Sequence, residues 1–199
     1  MQPAPLLQPL LLFPNVTDII VTISDNNIEG DDAMYNVEFR AAGNEEFYQL
    51  LHARAEILYM TETDALANLS NTAALIYLNM PEINWVGFYL WRDKQLILGP
   101  FQGKPACTRI LPGQGVCGTA AASGDVLLVP DVHEFPGHIA CDSASLSELV
   151  IPFSDTEGNF LGVLDIDAPI RERFSVDDIF GMVSLLDMLI AASDWRRLL

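Results

Sequence analysis

Two strand-like runs, residues 84–91 and 95–101, stand only three polar residues apart, at Arg92, Asp93 and Lys94. A connection that short makes a hairpin, because parallel strands need a crossover of a dozen residues or more. Three further runs, 126–129, 148–153 and 160–166, read as strands, the last two joined by a turn at 155–158. Helical spacing flanks them. Phe47, Leu50, Leu51, Arg54 and Leu58 make a stripe with one polar member. Capping residues at 61–64 precede Leu66, Leu69, Ala73 and Ile76, again at helical spacing. A short helix over 114–122 follows the Gly113-Gln114-Gly115 turn. The chain closes with Val176, Ile179, Phe180, Val183, Leu186 and Ile190, with Ser175 as N-cap and Asp177 and Asp178 in the first turn. This order predicts an α+β two-layer domain with a central, mainly antiparallel sheet. The terminal helices would share one face. A ligand pocket covered by the irregular centre, residues 102–147, would take the other.

Half of the 199 residues are apolar, enough for a core. Acidic residues outnumber basic ones 27 to 10, a net charge of −17. That balance excludes nucleic acid and anionic membrane surfaces as expected partners, since both need clustered Lys and Arg. The apolar stretch at 6–13 is interrupted by Gln8 and Pro9 and is too short to span a membrane. No basic residue precedes Arg40, while Asp18, Asp25, Glu29, Asp31 and Asp32 are acidic, so neither a signal nor a transit peptide is expected. The expected compartment is the cytosol, where the Asn15-Val16-Thr17 sequon is a chance match. Residues 1–43 read as an N-terminal extension with a β-branched run at 16–23 and an acidic loop at 24–32; Met34 is an alternative start. Residues 44–199 are the expected folded domain.

All three cysteines, Cys107, Cys117 and Cys141, and two of the three histidines fall in the Gly- and Pro-rich centre. An odd number in a reducing compartment argues against a disulfide framework. Three readings stay open: buried small hydrophobes, metal ligands and redox thiols. The spacings, nine and twenty-three intervening residues without a CxxC, speak weakly for zinc. Clustering on loops fits a redox site.

The centre also carries a specific set of motifs. They are Ile83-Asn-Trp-Val-Gly-Phe-Tyr89, Leu98-Gly-Pro-Phe-Gln-Gly103, Ala106-Cys107, Gly115-Val-Cys-Gly118, Pro130-Asp-Val132, Gly137-His-Ile-Ala-Cys-Asp142, Ser147-Glu148 and Leu164-Asp-Ile-Asp167. With these the chain, from about residue 44 to 195, resembles the free methionine-(R)-sulfoxide reductases, which are single GAF domains. Leu146 departs from the pattern, where a polar residue is expected. The resemblance implies reduction of the R sulfoxide of free L-methionine, with no cofactor and no metal. It assigns Cys141 as the attacking cysteine, Cys107 as the resolving one and Cys117 as accessory. Thiolate attack leaves a sulfenic acid, which a second cysteine condenses to a disulfide. Thioredoxin or a similar dithiol then resets the site. Thioredoxin as a partner and a homodimer are further implications.

Attack requires thiolate, so Cys141 should have a lowered pKa, with His138 three residues earlier a local donor. The sulfoxide oxygen must end as water and needs a proton. The ammonium of a free amino acid needs carboxylates. Glu148, Asp165 and Asp167 match the family's binding acids. Asp165 and Asp167 share one strand face, because side chains repeat with period two. Crowded there, they should raise one carboxyl pKa and supply a proton donor near neutrality. Trp85 and Tyr89, four apart, also share a face and match the aromatic wall for the methyl–sulfur end; Phe88 faces the other way, into the core. Three readings compete: a non-catalytic GAF module binding a small ligand, a scaffold using its cysteines structurally or for metal, and a former reductase whose extension has given it another role.

Overall fold

The hairpin closes on two residues rather than three. Strand β1 (Trp85–Arg92) and strand β2 (Gln95–Gln102) are antiparallel, with Arg92 paired to Gln95. Asp93 and Lys94 both have positive φ, 52° and 61°, the turn geometry that matches the right-handed twist of its strands. The computed structural model describes residues 37–137 and 144–198. The run at 16–23, the alternative start Met34 and the catalytic candidates His138 and Cys141 lie outside the described residues.

The other elements are α1 (Asn44–Tyr59), α2 (Ala65–Asn79), β3 (Arg109–Ile110), α3 (Gly115–Ser123), β4 (Leu127–Val129), β5 (Ser147–Ser154), β6 (Phe160–Ala168) and α4 (Val176–Ala192). The six strands form one sheet in the order β3-β2-β1-β6-β5-β4, antiparallel at every neighbouring pair. The two-residue strand β3, on the edge, carried no strand signal of its own.

Period-two alternation divides the sheet. Val86, Phe88 and Leu90 of β1, Leu149, Ile151 and Phe153 of β5, and Leu164, Ile166 and Ala168 of β6 are buried against α1, α2 and α4. Phe88, Leu149, Ile151, Leu164 and Ile166 are almost wholly shielded, each contributing about 1.5–3 kcal/mol by burial. The opposite face carries Trp85, Tyr89, Val150 and Val163, packed with Val116, Cys117 and Ala120 of α3. The terminal helices thus share one face, and the second face belongs to the central segment.

Caps fix the helices. Asp64 accepts from the backbone N–H groups of Leu66 and Ala67 at 2.9 and 3.1 Å. Ser175 and Asp178 form the reciprocal box at the start of α4. Asp178 is buried because its other oxygen accepts from the Tyr48 hydroxyl at 2.7 Å, tying α1 to α4. This rotates α1: it buries Phe47, Tyr48, Leu51, Ala55 and Tyr59, while Leu50, Arg54 and Leu58 are only half-buried. In α2, Leu66 is 51% exposed, whereas Asn68 and Thr72 are buried. Asn68 Nδ2 donates to Glu62 O and Ser193 Oγ, and Thr72 Oγ1 donates to Asn68 O, so their donors are satisfied inside, while Asn68 Oδ1 is buried without a partner. Residues 37–43 continue the fold: Asn79 accepts from Phe39 N and donates to Val37 O, and Phe39 packs on Phe47. No helix among the described residues is long and apolar enough to cross a membrane.

Candidate active site

The second face of the sheet holds the sequence-predicted acids. Asp165 and Asp167 flank Ile166, whose side chain enters the helical core, so both point the other way. Register supplies their neighbours. Asp167 pairs with Glu148 on β5 and with Trp85 on β1, making a row Glu148–Asp167–Trp85 across three strands. One step along, Asp165 lies between Val150 and Gly87.

Gly87 is what lets the aromatic wall form. A Cβ there would stand 2.5 Å from both the Trp85 ring and Phe101 Cβ. Without it, the Trp85 indole stacks between Tyr89 and Phe101, with ring centroids 5.9 and 5.5 Å away. Gly103, at φ 124°, allows a second close approach, for a Cβ would meet Trp85 Cδ1 at 2.6 Å. Trp85 Nε1 donates to Lys104 O at 3.0 Å, and the Tyr89 hydroxyl donates to Cys107 O at 3.0 Å. The wall therefore also pins the segment that carries Cys107. Gly87, Phe101 and Gly103 stood in the quoted motifs; their roles as spacer and stacking partners depend on contacts that sequence does not display. Trp85, Tyr89, Lys104, Pro105, Ala106, Asp165 and Asp167 line a narrow cleft of ≈ 10 Å³.

Cys107 is half-buried and Cys117 is 4% exposed; both are free thiols. Cys117 lies in the first turn of α3, which packs on β5 and β6. A Cβ on Gly118 would meet Leu111 O at 2.3 Å, so glycine lets this turn sit tight against the preceding loop. Cys117 Sγ reaches Glu148 Oε1 at 3.9 Å. Sγ and one oxygen each of Glu148 and Asp165 lie within 4.8 Å of one another. The fold thus gathers three potential metal donors that the cysteine spacing did not suggest.

Burial dominates the electrostatics. It pushes the Glu148 carboxyl well up, reinforced by the charges of Asp165 and Asp167. It lifts Asp165 to about 6, against the opposing effect of hydrogen bonds from Cys117 and Glu148. Burial, then the Asp165 and Glu148 charges, push the Cys117 thiol up as well. Cys117 is therefore a protonated thiol near neutral pH, poorly suited to attack, while Asp165 is poised to exchange a proton there. Asp165 Oδ1 is sealed from solvent and accepts no hydrogen bond.

The strand that carries Glu148 is anchored at its start. Ser147 Oγ donates to Ile170 O at 2.7 Å, and Asn84 Nδ2 donates to Ser145 Oγ at 3.0 Å. Leu146, the departure from the motif, pairs through its backbone with Ala168 and Val132.

The family model that matches this chain is the GAF domain, over residues 46–192. The chain is 48% identical over 155 residues to the free methionine-R-sulfoxide reductase of Escherichia coli strain K12, covering 76% of this chain and 93% of that protein. Among solved structures, it is 42% identical to the free methionine-R-sulfoxide reductase of Neisseria meningitidis in complex with its substrate. That match has a TM-score of 0.73 and covers 77% of this chain and 92% of the other. A substrate complex of the Staphylococcus aureus fRMsr matches at 46% identity and TM-score 0.69, covering 73% and 94%.

Proposed function

This chain belongs to the free methionine-R-sulfoxide reductase family of GAF domains, an oxidoreductase family, and on that premise we propose that it reduces free L-methionine-(R)-sulfoxide to L-methionine by thiol chemistry. The observation that carries the reading is the acid cluster beside an aromatic wall, with Glu148 and Asp165 buried, Asp167 half-buried and Asp165 lifted to about 6. Such a surface suits an amino acid with a cationic end and an apolar methyl–sulfur end. Glu148 and Asp167 hold the ammonium, whose positive charge draws the Glu148 carboxyl back to its ionised form, and Trp85 and Tyr89 take the methyl. Asp165 protonates the sulfoxide oxygen as charge develops on it.

The Cys141 thiolate attacks the sulfoxide sulfur. The S–O bond breaks, methionine is released, and the oxygen and a proton remain on Cys141 as sulfenic acid. The Cys107 thiol then attacks the sulfenic sulfur, forming the Cys107–Cys141 disulfide and releasing water. Thioredoxin, or a similar dithiol, supplies the two electrons and protons that restore both thiols. Cys117, its thiol held protonated, is accessory. The reducing cytosol is the compartment this cycle needs. The catalytic unit is residues 44–199, with 1–43 an N-terminal extension, and the chain works as a homodimer.

A thioredoxin-coupled assay tests the reading. Free L-methionine-R-sulfoxide should turn over, while the S epimer, an N-acetylated sulfoxide and a peptide substrate should not, and Cys141→Ser should abolish turnover. Folded, reduced protein inactive on every substrate would favour the non-catalytic ligand-binding alternative.

A further inference from the structure

The acid cluster contains one group that ammonium recognition does not use. Cys117 Sγ stands 3.9 Å from Glu148 Oε1. A thiol at that distance is a weak hydrogen-bond partner and adds no attraction for an ammonium. A thiolate beside two carboxylates is, by contrast, a donor set for a borderline-soft divalent cation.

The geometry is close to what such an ion needs. Three donor atoms, from Cys117, Glu148 and Asp165, lie within 4.8 Å of one another. Around a zinc ion, with Zn–S about 2.3 Å and Zn–O about 2.0–2.2 Å, tetrahedral donors stand roughly 3.5 Å apart. The three must draw in by about 1 Å, and Glu148 has the longest flexible reach. A second observation points to a ligand. Asp165, only 6% exposed, carries an oxygen, Oδ1, that is sealed from solvent and has no hydrogen-bond partner. A buried carboxylate oxygen without a donor is costly, and a cation removes that cost.

We propose that Cys117, Glu148 and Asp165 form a site for a thiophilic divalent cation such as Zn²⁺ or Cd²⁺. One thiolate and two carboxylates hold the ion, with the fourth position open. Binding exchanges the Cys117 thiol proton, and the proton that Glu148 donates to Asp165, for the metal: the S–H and O–H bonds break, S–metal and O–metal bonds form, both protons leave to solvent, and no electrons transfer. The ion would fill the space assigned above to the substrate ammonium, so the two would exclude each other.

The test uses the full chain carrying Cys107→Ser and Cys141→Ser, reduced and titrated with cadmium chloride, without substrate. The ultraviolet charge-transfer band of cadmium–thiolate should saturate at one thiolate per chain. Adding Cys117→Ser should abolish it. Asp165→Asn and Glu148→Gln, each in the double-serine background with an unchanged near-ultraviolet circular dichroism spectrum, should weaken cadmium binding at least tenfold. Should Asp165→Asn fail to fold, Glu148→Gln alone decides. No band in the double-serine protein, or an affinity that a folded carboxamide variant leaves unchanged, would overturn the proposal.

Discussion

Asp165 carries its charge at a cost that depends on pH. Burial raises its pKa from 3.8 unfolded to about 6 folded. A raised carboxyl contributes stability that is full below about pH 4 and is lost as pH rises through about 6. Asp165→Asn mimics the protonated form at every pH. It should therefore stabilise the protein at pH 8 by about 1–3 kcal/mol, a few degrees in Tm, and hardly at all at pH 4; thermal denaturation at the two values checks this. The same substitution should lower kcat/KM by about 10²–10⁴-fold and flatten the fall in rate above about pH 6, since the amide cannot deliver a proton. Gly87 makes a complementary case from the opposite sign of bulk. Gly87→Ala would place Cβ 2.5 Å from the Trp85 ring. It should cost about 1–3 kcal/mol and raise KM more than it lowers kcat, because it displaces the wall rather than the reacting groups.

At the scale of elements, a glycine lets α1 and α4 approach closely. A Cβ on Gly181 would fall 2.1 Å from the Tyr48 ring, and Tyr48 anchors the α4 cap through Asp178. Gly181→Ala should therefore lower stability by about 1–3 kcal/mol, despite the better helix propensity of alanine. Denaturant unfolding would reveal the opposite sign if the helices simply moved apart. The outer face of α4 behaves differently. Val176 and Phe180, one turn apart, are 60% and 68% exposed, an apolar pair that a second copy would cover. Phe180→Asp should convert the proposed dimer to a monomer by light scattering without loss of Tm in the separated chain. An unchanged mass would remove α4 from the interface.

Across the whole molecule, the proposed cycle depends on residues from segments far apart in sequence acting on one substrate. Cys107→Ser should still release about one methionine per chain in a single turnover. The variant should then hold a trappable sulfenic acid on Cys141 and fail to cycle with thioredoxin; mass spectrometry after quenching reads both. Much of this architecture was legible beforehand. The hairpin at Asp93 and Lys94, the Asp64 and Ser175 caps, and the shared face of Asp165 and Asp167 all follow from local geometry, which the order of residues dictates. The stripe on α1 was legible only in part, because the Tyr48–Asp178 bond links positions 130 residues apart. The same is true of the buried polar Asn68 and Thr72: Asn68 donates to Glu62 O and to Ser193 Oγ, 125 residues away, and Thr72 meets the Tyr59 hydroxyl of α1.

The sequence by itself determined which residues belong to one face, where turns and caps must fall, and which side chains can carry redox and acid chemistry. Those are properties of neighbours along the chain, set by the periods of helix and strand. Tertiary structure alone decided that Glu148 stands across from Asp167 and that Asp165 faces Gly87. It alone brought Cys117 beside Glu148 and pinned Cys107 under the Tyr89 hydroxyl. Those placements rest on register between distant strands, where slipping by a single residue would turn every acid into the helical core. The raised carboxyls follow from the same placements, because a pKa responds to burial and to charges in space.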